Sequence, residues 1–144
     1  MKQTKSTKGN DIKKEWHLIN AKDKILGRLS SEIALLLSGK SKPYFVRNLD
    51  CGDYVVVINS KHVKVTGNKV NIKKYVRHSG YPGGFRSETF KELMDKNPNK
   101  IIRHAVSGML PQNKLKAKML KRLYVFEEEE NKYKEKFSVQ KDPA

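Results

Sequence analysis

The chain has 144 residues and carries 31 Lys and Arg against 15 Asp and Glu, a formal net charge of +16. That length suits one domain with a real core, and the imbalance bears on partners rather than on fold: nucleic acid comes first, an anionic membrane second. No apolar run reaches about 18 residues and no apolar stretch follows the basic start, so neither a transmembrane helix nor a secretory signal is expected; the single Cys51 excludes an internal disulfide framework and suits a reducing cytosol.

Residues 1–15 read as a basic N-terminal arm, with Lys2, Lys5, Lys8, Lys13 and Lys14, mobile until a partner orders it. Residues 16–126 read as a single α/β domain and 127–144 as a charged C-terminal extension. Trp16-His17-Leu18-Ile19 is a strand and Asn20 to Lys24 its turn. A helix follows from Gly27 to Leu37, where Leu29, Ile33, Leu36 and Leu37 form an apolar stripe that Ser38-Gly39 stops. Lys40 to Asp53 is a loop. Tyr54 to Ile58 is apolar without alternation, as in a strand covered on both faces. A strand, a helix and a buried strand in that order predict a βαβ unit.

Lys61 to Val65 is a further short strand, Thr66 to Lys69 a tight turn, and Ile72 to Val76 an extended segment. Ser79 to Gly84 is a glycine loop and Glu88 to Asp95 a short helix. Asn97-Pro98-Asn99 starts the next helix, whose apolar face is Ile101, Ile102, Ala105, Val106 and Met109 and which Pro111 ends. Leu115 to Leu120 is another helix and Leu123 to Phe126 a last strand. Glu127 to Phe137 reads as an exposed helix and Ser138 to Ala144 as a tail.

Two segments carry no acidic residue. Between Ile101 and Phe126, Lys114, Lys118 and Lys121 recur at helical spacing. Between Ser60 and His78 lie Lys61, Lys64, Lys69, Lys73, Lys74 and Arg77, with Tyr75, His78 and Tyr81 placed to stack on splayed bases. The loop at Ser79 to Gly84 matches neither a Walker A loop nor the dinucleotide fingerprint; its glycines would let backbone approach a phosphate. Gly27-Arg28 opens a helix and is a weak anion site. Evidence for catalysis is poor. His17, His62, His78 and His104 are scattered, one cysteine gives no Cys/His metal spacing, and His104 falls among apolar residues as packing histidines do. Asp50 and Asp53 before a buried strand are turn chemistry more readily than an acid–base pair. The alternatives are a free module acting on messenger RNA and a nucleotide-dependent enzyme using Asp50 or Asp53. A membrane-surface role ranks last, because the Lys114–Lys121 segment has no aromatic anchor.

These residues together resemble the large-subunit ribosomal protein L-thirteen family in its bacterial form. The resemblance runs from Trp16 to Phe126. It rests on Trp16 to Ala21, Leu26-Gly27-Arg28-Leu29, Gly39-Lys40, Asp50 to Asn59, Thr66 to Lys69, Tyr75 to Gly84, and most specifically on Ala105-Val106-Ser107-Gly108-Met109-Leu110-Pro111 with Asn113 and the basic helix after it. The arm is longer and more basic than the family pattern. The end lacks the family's His-Pro-His and Gln-rich close and carries Glu127 to Glu130 instead.

The resemblance implies a three-layer α/β/α fold with a small, mostly parallel four-stranded sheet. It implies a structural protein that binds large-subunit rRNA, acts early in assembly, touches neighbouring ribosomal proteins and resides on the cytoplasmic ribosome. It implies no cofactor, metal, small-molecule substrate or reaction. Residues expected at the RNA are Arg28, Lys40, Lys61, Lys69, Lys73, Lys74, Arg77, His78, Gly83, Gly84, Arg103, Lys114, Lys118, Lys121 and Arg122.

Overall fold

The computed structural model describes residues 5–130 and 132–138. Strand β1 (Trp16–Asn20), helix α1 (Leu26–Ser38) and strand β2 (Tyr54–Ile58) form the expected βαβ unit, with β1 parallel to β2 from Trp16 beside Tyr54 to Asn20 beside Ile58. Helix α1 forms because Leu26, Leu29, Ile33 and Leu37 fall on one side and bury completely or nearly so. Next come α2 (Lys69–Ile72), β3 (Lys74–His78), β4 (Phe85–Thr89), α3 (Phe90–Lys96) and α4 (Pro98–Met109). The chain continues through α5 (Lys116–Lys121), β5 (Leu123–Val125) and α6 (Lys134–Ser138). Helix α3 starts at a capping box in which Thr89 and Glu92 satisfy each other's amides. The Asn97 side chain caps α4, and Pro98 takes the first-turn position, where no amide is needed.

Strand β5 pairs in parallel with the free side of β2, giving the order β1-β2-β5. Alternation then sorts the side chains. Ile19, Val55, Val57, Leu123 and Val125 point to one face and join α1 and α4 residues, including Ile33, Ile101, Ile102 and Val106, in one core. The other face carries Trp16, Tyr54 and Tyr124. Trp16 stacks on Tyr54 at 4.4 Å, and Tyr133 from the C-terminal segment lies 4.4 Å from Tyr124 and 5.2 Å from Trp16, with Phe137 edge-on to Trp16. Val56 is fully buried on this side.

The architecture bears out the α/β expectation with a parallel sheet but not its four-stranded, three-layer detail. Among the described residues the parallel sheet has three strands. Both crossovers, β1 to β2 and β2 to β5, step in the same direction. Right-handed crossovers that never reverse place their helices on the same face, which is where α1 and α4 meet. The opposite face is closed by an aromatic stack rather than by a pair of long helices. The expected strand at Lys61 to Val65 is a 3₁₀ turn at Ser60–His62 plus one parallel bridge between Ile25 and Lys64.

Strands β3 and β4 form a separate antiparallel ribbon. Tyr75 turns inward against the core, while Val76, Tyr81 and Phe85 are exposed. The arm is not loose over its described residues. The Thr7 hydroxyl donates to the Tyr44 carbonyl at 2.9 Å, the Tyr44 hydroxyl donates to the Lys13 carbonyl, and the Glu15 carbonyl accepts from the Tyr54 amide at 2.9 Å. Among the described residues no helix is long and apolar enough to cross a membrane.

Candidate nucleic-acid interface

The ribbon gathers the densest group of expected contacts. Its register sets Arg77 opposite Arg86 and His78 opposite Phe85. Like charges directly across a ladder repel, and no carboxylate intervenes. The two guanidinium groups, with His78, Ser79, Gly83 and Gly84, line a hollow of about 430 Å³. The turn closing it is self-contained: the Ser79 amide donates to Gly84 O at 3.2 Å, the Gly84 amide to Tyr81 O at 2.9 Å, and the Gly80 amide to His78 Nδ1 at 2.9 Å. Gly83 sits at φ +72, a conformation a side chain disfavours. Two cations and a glycine turn around an open hollow suit a phosphate.

A second group lies along the end of α4. Met109, 46 % exposed, borders a hollow of about 210 Å³ with Gly27, Lys69 and Lys73, and another of about 420 Å³ with Lys40, Arg47 and Asn113. Neither hollow has an acidic residue in its lining. Exposed Arg28 follows Gly27 on α1. This trough therefore unites Lys40, Lys69 and Lys73, which are remote in sequence.

Other expected residues fall elsewhere. Helix α5 begins at Lys116, so Lys114 precedes it and the anticipated face of three cations is reduced to exposed Lys118 and Lys121. Lys74 is exposed on the opposite side of the ribbon from Arg77. Lys61 is engaged by Glu127 at 2.9 Å and Glu128 at 3.4 Å, an acidic run outside its own acid-free segment. Arg103 donates to the Leu123 carbonyl at 3.3 Å and borders a separate hollow with Lys100. Tyr75 is not available for base stacking. Its ring meets His104 edge-on, its hydroxyl is buried, and burial raises the phenol above its ordinary pKa.

Arg122 is the clearest correction. It is 5 % exposed. Its guanidinium makes a two-pronged ion pair with Asp50, and donates to Leu37 O at 3.2 Å and Asp53 O at 3.2 Å. Gly52 makes the crossing possible: a Cβ there would lie 1.7 Å from the Leu37 carbonyl oxygen. Asp53 is held by the Lys42 ammonium, by the Glu15 amide at 3.0 Å and by His17 Nε2 at 3.0 Å. Burial pushes both carboxyls up. For Asp53 the Glu15 amide, Lys42 and His17 outweigh it, and for Asp50 the Arg122 guanidinium does, so both lie below the ordinary 3.8. These aspartates are structural anchors. Donor atoms of Glu15, His17 and Asp53 lie within 4.8 Å of one another, but Lys42 already supplies the cation.

Sequence reasoning missed Arg86, Phe85, Arg47 and Lys42. The hairpin register would have exposed the first two: Arg77 and Arg86 flank the glycine loop so as to pair. Lys42 and Arg47 lay in a loop without periodicity and gave no signal.

A family model described as "Ribosomal protein L13" matches residues 14–132. Three similar relatives are each named "Large ribosomal subunit protein uL13". The one from Dehalococcoides mccartyi (strain 195) is 53 % identical over 128 residues, 89 % of this chain and 90 % of the relative. That from Thermobifida fusca is 51 % identical over 124 residues, 86 % and 83 %. That from Nitratiruptor sp. is 52 % identical over 126 residues, 88 % and 90 %. The ribbon, the trough at Met109 and the Asp50–Asp53 crossing all fall inside the matched span, and the chain belongs to the ribosomal protein L13 family.

Proposed function

We propose that this chain is a structural constituent of the large ribosomal subunit, binding its rRNA and supporting early assembly beside neighbouring ribosomal proteins. The observation that carries this is half-identity across nearly nine-tenths of the chain to relatives named as large-subunit proteins. The family is structural, and the chain is not an enzyme. Residues 16–126 act as the rRNA-binding unit, flanked by the arm and the extension.

The physical mechanism is positioning by charge. The parallel sheet with α1 and α4 is a rigid platform. Arg77 and Arg86 at the ribbon, and Lys40, Arg47, Lys69 and Lys73 around Met109, neutralise phosphates of converging RNA segments. Each phosphate contacted steepens the salt dependence by roughly one log unit per log unit of salt. Phosphate contacts fix register without reading sequence, so selectivity comes from RNA shape and from unpaired bases.

The test is sedimentation of gently lysed cells at low and high salt. Travel with the large subunit through a moderate-salt wash supports the reading. Protein at the top of the gradient at low salt overturns it and favours a free RNA-binding regulator.

A further inference from the structure

The ribbon has two faces, and the arginine pair of the phosphate hollow lies on only one. Direct pairs share a face. Arg77, Arg86, Tyr75 and Glu88 form the first, with Tyr75 and Glu88 turned to the body of the protein. Lys74, Val76, His78, Phe85, Ser87 and Thr89 form the second. On that second face Phe85 is 61 % exposed and Val76 59 % exposed, with His78 across from Phe85 and no carboxylate present. An exposed aromatic beside an exposed β-branched residue contributes nothing to the core, and a facing arginine pair works against the ribbon. Glu88, on the first face, feels Arg77 but is engaged by Lys96 at 3.2 Å, so the arginine pair is only partly compensated; local rules broken together mark a functional element. The cations at the same element select the partner. An aromatic ring on a face that holds Lys74 and no acid, backed by Arg77 and Arg86, fits a nucleobase with its phosphates, whereas an apolar protein surface would gain nothing from the flanking charge.

We propose that the β3–β4 ribbon inserts between two RNA segments, gripping a backbone phosphate with Arg77 and Arg86 on one face and stacking an unpaired base on Phe85 on the other. This rests on the rRNA-binding reading and adds to it a wedge that ties two segments together. Tyr75, half-buried at the root of the ribbon, holds it to the body, and Phe85 takes the stacking role.

The test places a photoreactive group on the second face of the full chain, Phe85→p-benzoylphenylalanine, in cells whose large subunits are then purified and irradiated. Crosslinking to an rRNA nucleotide is the expected result. Crosslinking only to protein, or to nothing, in subunits that contain the variant overturns the wedge and leaves the ribosomal reading intact. Absence of the unmodified protein from large subunits overturns the ribosomal reading itself. A second measurement uses mixed-sequence single-stranded RNA. Phe85→Leu keeps apolar bulk and lowers affinity about tenfold without changing the salt slope, and Phe85→Trp restores it. Equal affinity of Phe85→Leu and the unmodified protein also overturns the proposal.

Discussion

Two pairs of arginine interactions show how differently one chain treats the same charge. Arg122 lies inside, clasped by Asp50 and by the carbonyls of Leu37 and Asp53. Arg77 and Arg86 lie outside, facing each other across a two-stranded ribbon without a carboxylate between them. A buried charge must be fully matched by the protein that buries it. An exposed pair of like charges is tolerated in water and becomes favourable when an anion arrives. The first serves the fold and, in the proposed function, the second serves the partner.

Removing the inner clasp has the largest expected effect. Arg122→Ala leaves the Asp50 carboxylate without its guanidinium and costs about 3–5 kcal/mol of stability, read as a shifted midpoint in urea denaturation. An Arg122→Ala protein as stable as the parent would remove the basis of the contrast. Next comes the outer pair. Arg77→Ala with Arg86→Ala changes stability by less than about 0.5 kcal/mol, yet flattens the salt dependence of RNA binding by about one log unit per phosphate lost. Filter binding over a salt series measures it.

The pH dependence sharpens the comparison further. The folded-state carboxyls of Asp50 and Asp53 are held below the ordinary 3.8. Their contribution is therefore complete above about that value and is lost as pH falls below it. Acid denaturation of the parent and of the ribbon double variant should superimpose, while Asp53→Asn should blunt the loss. The smallest effect belongs to Lys61. Its pairs with Glu127 and Glu128 are exposed and screened by solvent, so Lys61→Ala barely moves the urea midpoint and leaves the salt slope of RNA binding nearly unchanged.

Much of the platform was legible in the residues. The stripe of Leu29, Ile33 and Leu37 and the apolar run Tyr54 to Ile58 placed α1 and β2 to within a residue. Strand β4 was not legible, because Phe85-Arg86-Ser87-Glu88-Thr89 exposes both faces over much of its length and leaves no alternation to read. Arg122 was misjudged for a related reason. Beside Lys121, in an acid-free segment, it reads as one more surface cation. Its partner Asp50 is 72 residues away, a proximity that only the packed chain creates. Tyr75 failed likewise, since its place among lysines says nothing of the core it turns toward.

The clasp also sets a timetable. As the chain is synthesised, Leu37, Asp50 and Asp53 emerge long before Arg122, which lies 85 residues after Leu37. Until then the Asp50 carboxylate and the Asp53 carbonyl lack the Arg122 guanidinium, and β2 lacks the neighbour that β5 provides. The core thus closes as an act of the nearly finished chain. A nascent fragment ending before residue 122 is a cationic polymer without a lock, a species open to proteolysis.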